Sequence, residues 1–387
     1  MLSDQSSVDA PAELKARFWE RSFESSGWGY AATGSRFNVF PSPGAARNVF
    51  ERIDDAAEVN VRTGVSPSLA LNSVADFAIV DPADVRAYAD ARGVRIGSLT
   101  PNLAREQRFK FGSLTNSDPE IRKAAASMIR RALEIAPVLG AEGVTVWIPD
   151  GTHYPGQADF VRRKHWLTEE LTELAEAAPA EVRCLLEYKL FEPAPYHTDI
   201  ADWGMAAAIS RSTGGRWEVL VDLGHHAHGT NVEHVVAFLL DEGLLGGLHL
   251  NDRKSADDDL TLGSIDPYAL FLIFHQLVSF DPERAGALLC TLDQHHTAKP
   301  PLLATVQSID FAQELYLKAL LIDREKLREH QDANRVVEAE RTLRAPFFRD
   351  VRLLLEEWRE ERGLHADPVG ALLESGLLED RAQERTS

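Results

Sequence analysis

Four apolar runs in the second half of the chain end on groups that bind cations. VRCLLE closes at Glu187, WEVLVD at Asp222 and LLCTLD at Asp293, and LLGGLHL carries His249 beside its last residue. Three carboxylates and an imidazole make a mixed oxygen and nitrogen set that suits Mn²⁺, Mg²⁺, Co²⁺ or Zn²⁺. His225 stands three residues beyond Asp222, and Asp257 and Asp259 follow His249 in a loop. Alternate residues of an extended loop point the same way, so these three read as a second group beside the first. Gathered in one pocket, the carboxylates of Glu187, Asp222, Asp257, Asp259 and Asp293 repel one another, and two divalent cations nearly cancel that charge. Taken singly, the acidic triplet is an ordinary solvated loop and His225 with His226 an ordinary surface pair. Four successive run ends outweigh that reading.

Lys189 lies two residues beyond Glu187, on the same side of an extended strand, where its ammonium reaches a substrate oxygen unless a surface salt bridge takes it. Trp147 closes another apolar run, and Trp28 and Phe37 flank a glycine-rich stretch; each is either core packing or an aromatic wall against the apolar faces of a small polyol.

Rigid elements must bring these residues together. Strand-like runs fall at 37–40, 68–72, 94–99, 144–148, 182–187, 219–223, 244–250 and 288–292, with helical segments between them, the first at 12–25. Asp81-Pro82, Asp118-Pro119 and Asp266-Pro267 each combine an N-cap with proline in the first helical turn. Eight alternations predict an α/β fold, a (β/α)8 TIM barrel over residues 1–300 with a helical leader, and a helical C-terminal extension over 301–387. In such a barrel the functional residues sit at the carboxyl ends of the strands, where these ligands fall.

Composition narrows the partners. With 387 residues, 44% of them hydrophobic, the chain can bury a large core. The formal charge of −19 opposes nucleic-acid binding, which needs cations against phosphate, and offers no basic patch to a membrane surface. The apolar runs fall short of the roughly 18 residues a membrane span needs, and MLSDQSSVDAPAELK lacks an export signal. Cys184 and Cys290 sit in apolar runs as reduced core residues, in keeping with a cytoplasmic protein. No glycine-rich dinucleotide fingerprint follows a strand, so metal is the expected cofactor.

The segments GWGYAATGSRF, VTVWIPDG with YPGQ, EYKLFEPAPY, VDLGHHAHGTN, HLNDRKSADDDL and LDQHH, spread between Gly27 and Glu374, carry a family likeness. At these residues the chain resembles the L-rhamnose isomerases, the broad-specificity bacterial type within the xylose isomerase-like barrel superfamily. The resemblance implies interconversion of L-rhamnose and L-rhamnulose, or of related sugars, by a metal-assisted 1,2-hydride shift. It implies a structural cation on Glu187, Asp222, His249 and Asp293, and a catalytic cation, Mn²⁺ foremost, on His225, Asp257 and Asp259, with Glu187 shared. Lys189, Asp259 and Asp293 would form the catalytic set, Lys189 answering charge on the sugar's O1, while Trp28, Phe37, Asn72, Trp147 and His225 would contact sugar. A homotetramer is also implied, with the C-terminal helices at subunit contacts.

One departure stands out. Where the family has Leu-His-x-Pro-Trp-Asp, this chain has Leu71, Asn72, Ser73, Val74, Ala75 and Asp76. The family histidine is associated with opening the sugar ring; an asparagine hydrogen-bonds but cannot exchange a proton near neutral pH. Ring opening would then rest on Asp293 or solvent. Three other readings fit part of the pattern: a sugar or inositol-type epimerase using one cation and paired acid and base groups, a barrel endonuclease disfavoured by the negative charge, and a metal-stabilised barrel without catalysis.

Overall fold

In a computed structural model, which describes residues 12–32, 39–104, 106–192 and 196–385, eight parallel strands close into a barrel. They are β1 (Glu24–Ser26), β2 (Ser68–Asn72), β3 (Arg95–Thr100), β4 (Gly143–Trp147), β5 (Arg183–Glu187), β6 (Trp217–Asp222), β7 (Leu245–Leu250) and β8 (Leu289–Leu292). Each pairs with its sequence neighbours, and β1 closes the ring by pairing Glu24 with both Ser68 and Thr291. Asp222 and His249 are register partners, so they stand side by side at the same rim.

Seven of the eight strands fall where the apolar runs predict, within a residue or two at their ends. The first does not. The first barrel position is taken by Glu24–Ser26, and of the run at 37–40 the first half lies outside the described residues, as do all of residues 33–38. The helix expected over 12–25 ends correspondingly at Glu20, because the chain from Arg21 onward turns into the interior. Glu-Ser-Ser has no apolar signature, yet all three residues are buried. Glu24 is admitted to the barrel core by hydroxyls: Ser98 Oγ donates to its carboxylate at 2.8 Å and Thr291 Oγ1 at 2.5 Å. Gly97 makes the room, since a Cβ there would stand 2.1 Å from Glu24 Oε1. Burial pushes the Glu24 carboxyl above its ordinary range, with those hydroxyls pulling the other way.

The three Asp-Pro starts all form as expected, with Asp81, Asp118 and Asp266 each accepting a hydrogen bond from a backbone N–H in the first turn of its helix. After β8 the chain is helical. The helix Pro301–Leu320 is largely buried and packs against the helices Pro267–Ser279 and Val49–Thr63, filling the outer ring between the last and first barrel helices. Five further helices follow from Arg324 to Glu384. Both cysteines are free and buried. Among the described residues no helix is long and apolar enough to cross a membrane.

Candidate functional site

The rim ligands converge. His249 Nδ1 lies 3.0 Å from Glu187 Oε1, 3.1 Å from Asp293 Oδ2 and 3.7 Å from Asp222 Oδ2, placing the ends of β5, β6, β7 and β8 around one point. Glu187, Asp222 and His249 are buried, and Asp293 opens partly to solvent. A second group meets the first at Asp222, with His225 Nε2 at 3.9 Å from Asp222 Oδ1 and 3.1 Å from Asp257 Oδ1. His225 is oriented from behind, its Nδ1 standing 3.0 Å from the Tyr188 carbonyl oxygen.

Asp259 does not join His225 and Asp257. Its carboxylate falls into another cluster, with Asp293 and His295. The loop after β7 is coiled, not extended: Asp258 folds back to accept the Ser255 N–H at 2.8 Å, and Asp259 has a left-handed backbone with φ of 47°. Parity along the chain therefore fails there.

Crowding sets the electrostatic balance among these side chains. Burial works against charge on His225 and His249, yet the carboxylates win. Asp222 and Asp257 raise His225 to about 9, and Glu187 and Asp293 hold His249 well above the usual imidazole value. Burial lifts Asp222 to about 7. Burial also lifts Asp259 well above the carboxylate range, and the neighbouring Asp257, Asp293 and Asp222 add to it. Asp293, against its own burial, is drawn down to about 2 by His249. The contact between His225 and Asp257 lacks hydrogen-bond geometry and leaves the buried Asp257 Oδ1 unsatisfied, as a shared cation would not. The donor set fits divalent metal.

Around this centre, Lys189 Nζ donates to Asp257 Oδ2 at 2.6 Å and to Glu192 Oε2 at 2.9 Å, and lies 4.9 Å from the Trp147 ring centroid. Burial pulls its ammonium down, but Asp257 and Glu192 outweigh burial and hold it above its ordinary value. Trp28 Nε1 donates to Asp293 Oδ1 at 2.7 Å, fixing the carboxylate on the side away from His249. Phe37 lies outside the described residues. Asn72 is at the end of β2, but its Oδ1 accepts the N–H groups of Val74 at 3.0 Å and Ala75 at 2.9 Å. Its own N–H donates to Asp76 Oδ2 at 2.8 Å, and Asp76 is paired with Arg52. Asn72 thus builds a turn, and only its amide Nδ2 is left to offer a ligand.

Two neighbours were not anticipated. Asn251 Nδ2 donates to both Asp222 oxygens at 3.1 Å, and His295 stands beside Asp259 with Nε2 3.8 Å from Oδ2. Each lies two residues beyond a recognised ligand, His249 and Asp293, so the period-two rule that found Lys189 from Glu187 would have found both.

Comparison with known proteins agrees with this architecture. The xylose isomerase-like TIM barrel family matches residues 53–280. A protein named as a probable sugar isomerase from Mesorhizobium japonicum is 37% identical over 367 residues, covering 92% of this chain and 84% of its own. Another of the same description from Rhizobium meliloti is 35% identical over 365 residues, covering 92% and 85%. Among solved structures, the apo 3-keto-D-glucoside 4-epimerase of E. coli superposes with a TM-score of 0.56 at 16% identity, over 76% of this chain and 99% of that one, a likeness of fold. The chain belongs to the xylose isomerase-like TIM barrel family and is an enzyme of isomerase type.

Proposed function

We propose that this enzyme interconverts an aldose and its ketose, with L-rhamnose and related sugars as the substrate class and two divalent cations per chain, Mn²⁺ foremost. The observation that carries the reading is the pair of ligand groups sharing Asp222, one of them hydrogen-bonded through Asp257 to the buried ammonium of Lys189. When bound, the cations would hold two adjacent oxygens of the open-chain sugar and polarise its carbonyl. In the direction of the ketose, a hydride passes from C2 to C1 and the hydroxyl proton from O2 to O1. Lys189 answers the charge that develops on O1, at a site where burial strengthens the interaction. Trp147 beneath Lys189, and Trp28 beside Asp293, would wall the pocket around the sugar and limit water. Asn72 has no titratable proton and its oxygen is committed to the turn, so ring opening falls to the ionised Asp293 or to solvent.

A panel of aldoses and ketoses, assayed with Mn²⁺ and again with a chelator, tests this reading. Metal-dependent isomerisation of L-rhamnose or a related sugar is expected, and none with any sugar would sink it. A second reading, a one-cation sugar epimerase, draws on the two carboxylates of Glu187 and Asp293, 3.0 and 3.1 Å from His249 Nδ1, which could serve as the paired acid and base beside one cation. One tight cation per chain with Asp257 dispensable would favour it.

The quaternary state belongs to the same proposal. Phe40, Ile79, Phe111 and Tyr154 stand 46%, 97%, 62% and 69% exposed on loops that follow β1 to β4, on the rim that carries the site. Large apolar side chains so exposed suit burial between copies of the chain, and a homotetramer is proposed. Sedimentation should give four chains per particle, with Ile79→Glu and Phe111→Glu together lowering the count; a monomer at micromolar concentration would overturn this.

A further inference from the structure

The loop after β6, which carries His225, and the loop after β7, which carries Asp257, are joined by a side chain that the proposed function leaves unused. Arg253 Nη1 donates to the carbonyl oxygens of Gly224, at 3.2 Å, and of His226, and Nη2 donates to that of Ala227 at 3.2 Å. We propose that Arg253 is a positioning residue, whose guanidinium sets the separation of His225 from Asp257 and so builds the second cation position. This rests on the two-cation reading of the centre.

Each loop is braced by itself, so the contact between them decides their spacing. Residues 252–260 form a closed hairpin, in which Asp252 N–H donates to the Leu260 carbonyl oxygen at 3.1 Å and Leu260 N–H to that of Asp252 at 2.8 Å. Within it Asp258 accepts the N–H groups of Lys254 at 2.5 Å and Ser255 at 2.8 Å. On the other side His225 is tied to the loop after β5: its Nδ1 stands 3.0 Å from the Tyr188 carbonyl oxygen, and its own carbonyl oxygen accepts the Leu190 N–H at 3.4 Å. The carbonyl oxygens of Gly224, His225, His226 and Ala227 are thus all taken by neighbouring loops, three of them by Arg253. Across this joint His225 Nε2 and Asp257 Oδ1 face each other at 3.1 Å. Asp257 is also held through Oδ2 by Lys189 at 2.6 Å, so loss of Arg253 loosens the pair without parting it.

Geometry and charge make opposite demands on this residue. A planar guanidinium reaches several carbonyl oxygens at fixed angles, whereas an ammonium is a point charge on a flexible stem. The charge itself works against a cation. Arg253 lies within electrostatic reach of Asp222, which the two ligand groups share, so by charge alone it would repel an ion there and its removal would tighten binding. Positioning predicts the reverse, since partners that orient metal ligands are worth about 10- to 100-fold in affinity. The first position takes Glu187, Asp222, His249 and Asp293 from the ends of the strands, outside both loops, so only the second should respond.

The test is Mn²⁺ binding to the full-length protein by equilibrium dialysis, with bound ions counted per chain. Wild type should take up two. Arg253→Met, which keeps the stem and removes the charge, should weaken the second ion about 10- to 100-fold and leave the first within about threefold of wild type. Arg253→Lys, which keeps the charge and loses the fork, should weaken the second ion by less. The near-ultraviolet circular dichroism of wild type is the check on folding. A second ion held as tightly as in wild type, or more tightly, by either variant, or two ions weakened alike, would overturn the inference alone. Fewer than two ions on wild type would overturn the two-cation reading and this inference with it.

Discussion

Lys189 concentrates the chemistry of the site in one atom. Its ammonium is buried, held 2.6 Å from Asp257 and 2.9 Å from Glu192, and kept above its ordinary pKa, so it stays charged throughout the range in which sugars are handled. Lys189→Gln keeps a donor of similar reach and removes the charge. On the proposed function, kcat should fall by about 10² to 10³, the scale of losing one preorganised donor to developing oxyanion charge, while two cations still bind tightly. A kcat within about threefold of wild type would remove Lys189 from the mechanism. The residues of this centre were legible to different degrees. Glu187, Asp222, His249 and Asp293 could be read because each ends an apolar run, where a charged group is out of place unless it has a partner. The grouping of Asp259 could not be read, since it depends on a left-handed backbone at Asp259 and on the fold-back of Asp258.

At the scale of elements, the legible parts are those whose local chemistry agrees with their tertiary role. The Asp-Pro helix starts and the Val- and Leu-rich strands say the same thing in sequence and in space. β1 does not, because its polar residues are stabilised by Ser98 and Thr291, which lie far away in sequence. The helix Pro267–Ser279 holds another buried polar group, His275, whose Nδ1 meets Ser279 Oγ at 3.1 Å. Burial, and then the charge of Arg324, lower His275 to about 4. With an unfolded value near 6.5, the folded state binds fewer protons than the unfolded one between these limits. The stability is therefore present above about pH 6.5 and lost as pH falls towards 4. Thermal unfolding followed from pH 7 to pH 4.5 should show a declining Tm that His275→Leu makes shallower. An unchanged slope in that variant would place the loss elsewhere.

The whole molecule is tied at its far end to its beginning. Arg385 reaches from the C-terminal tail to the helix Val49–Thr63, donating to Asp55 Oδ2 at 2.6 Å and Oδ1 at 2.8 Å, and to the Gly44 carbonyl oxygen at 2.7 Å. Both side chains of the ion pair are 2% exposed. The helices after residue 320 are thus fastened across the segment that links β1 to the helix before β2, a contact between charge-rich sequences that no local pattern announces. A pair desolvated this far draws little net stability from its charges, but removal of one partner strands the other. Arg385→Met should destabilise the fold by about 3 kcal/mol, less than a fully isolated carboxylate would cost, because Arg381 Nε lies 3.7 Å from Asp55 and answers part of its charge. Arg385→Met with Asp55→Leu, which removes both charges and fills the space with carbon, should recover most of that loss. Denaturant unfolding of wild type, both single variants and the double variant measures the coupling. If the double variant loses as much as the two single losses added together, the pair is not coupled and the tail is held by its apolar packing alone.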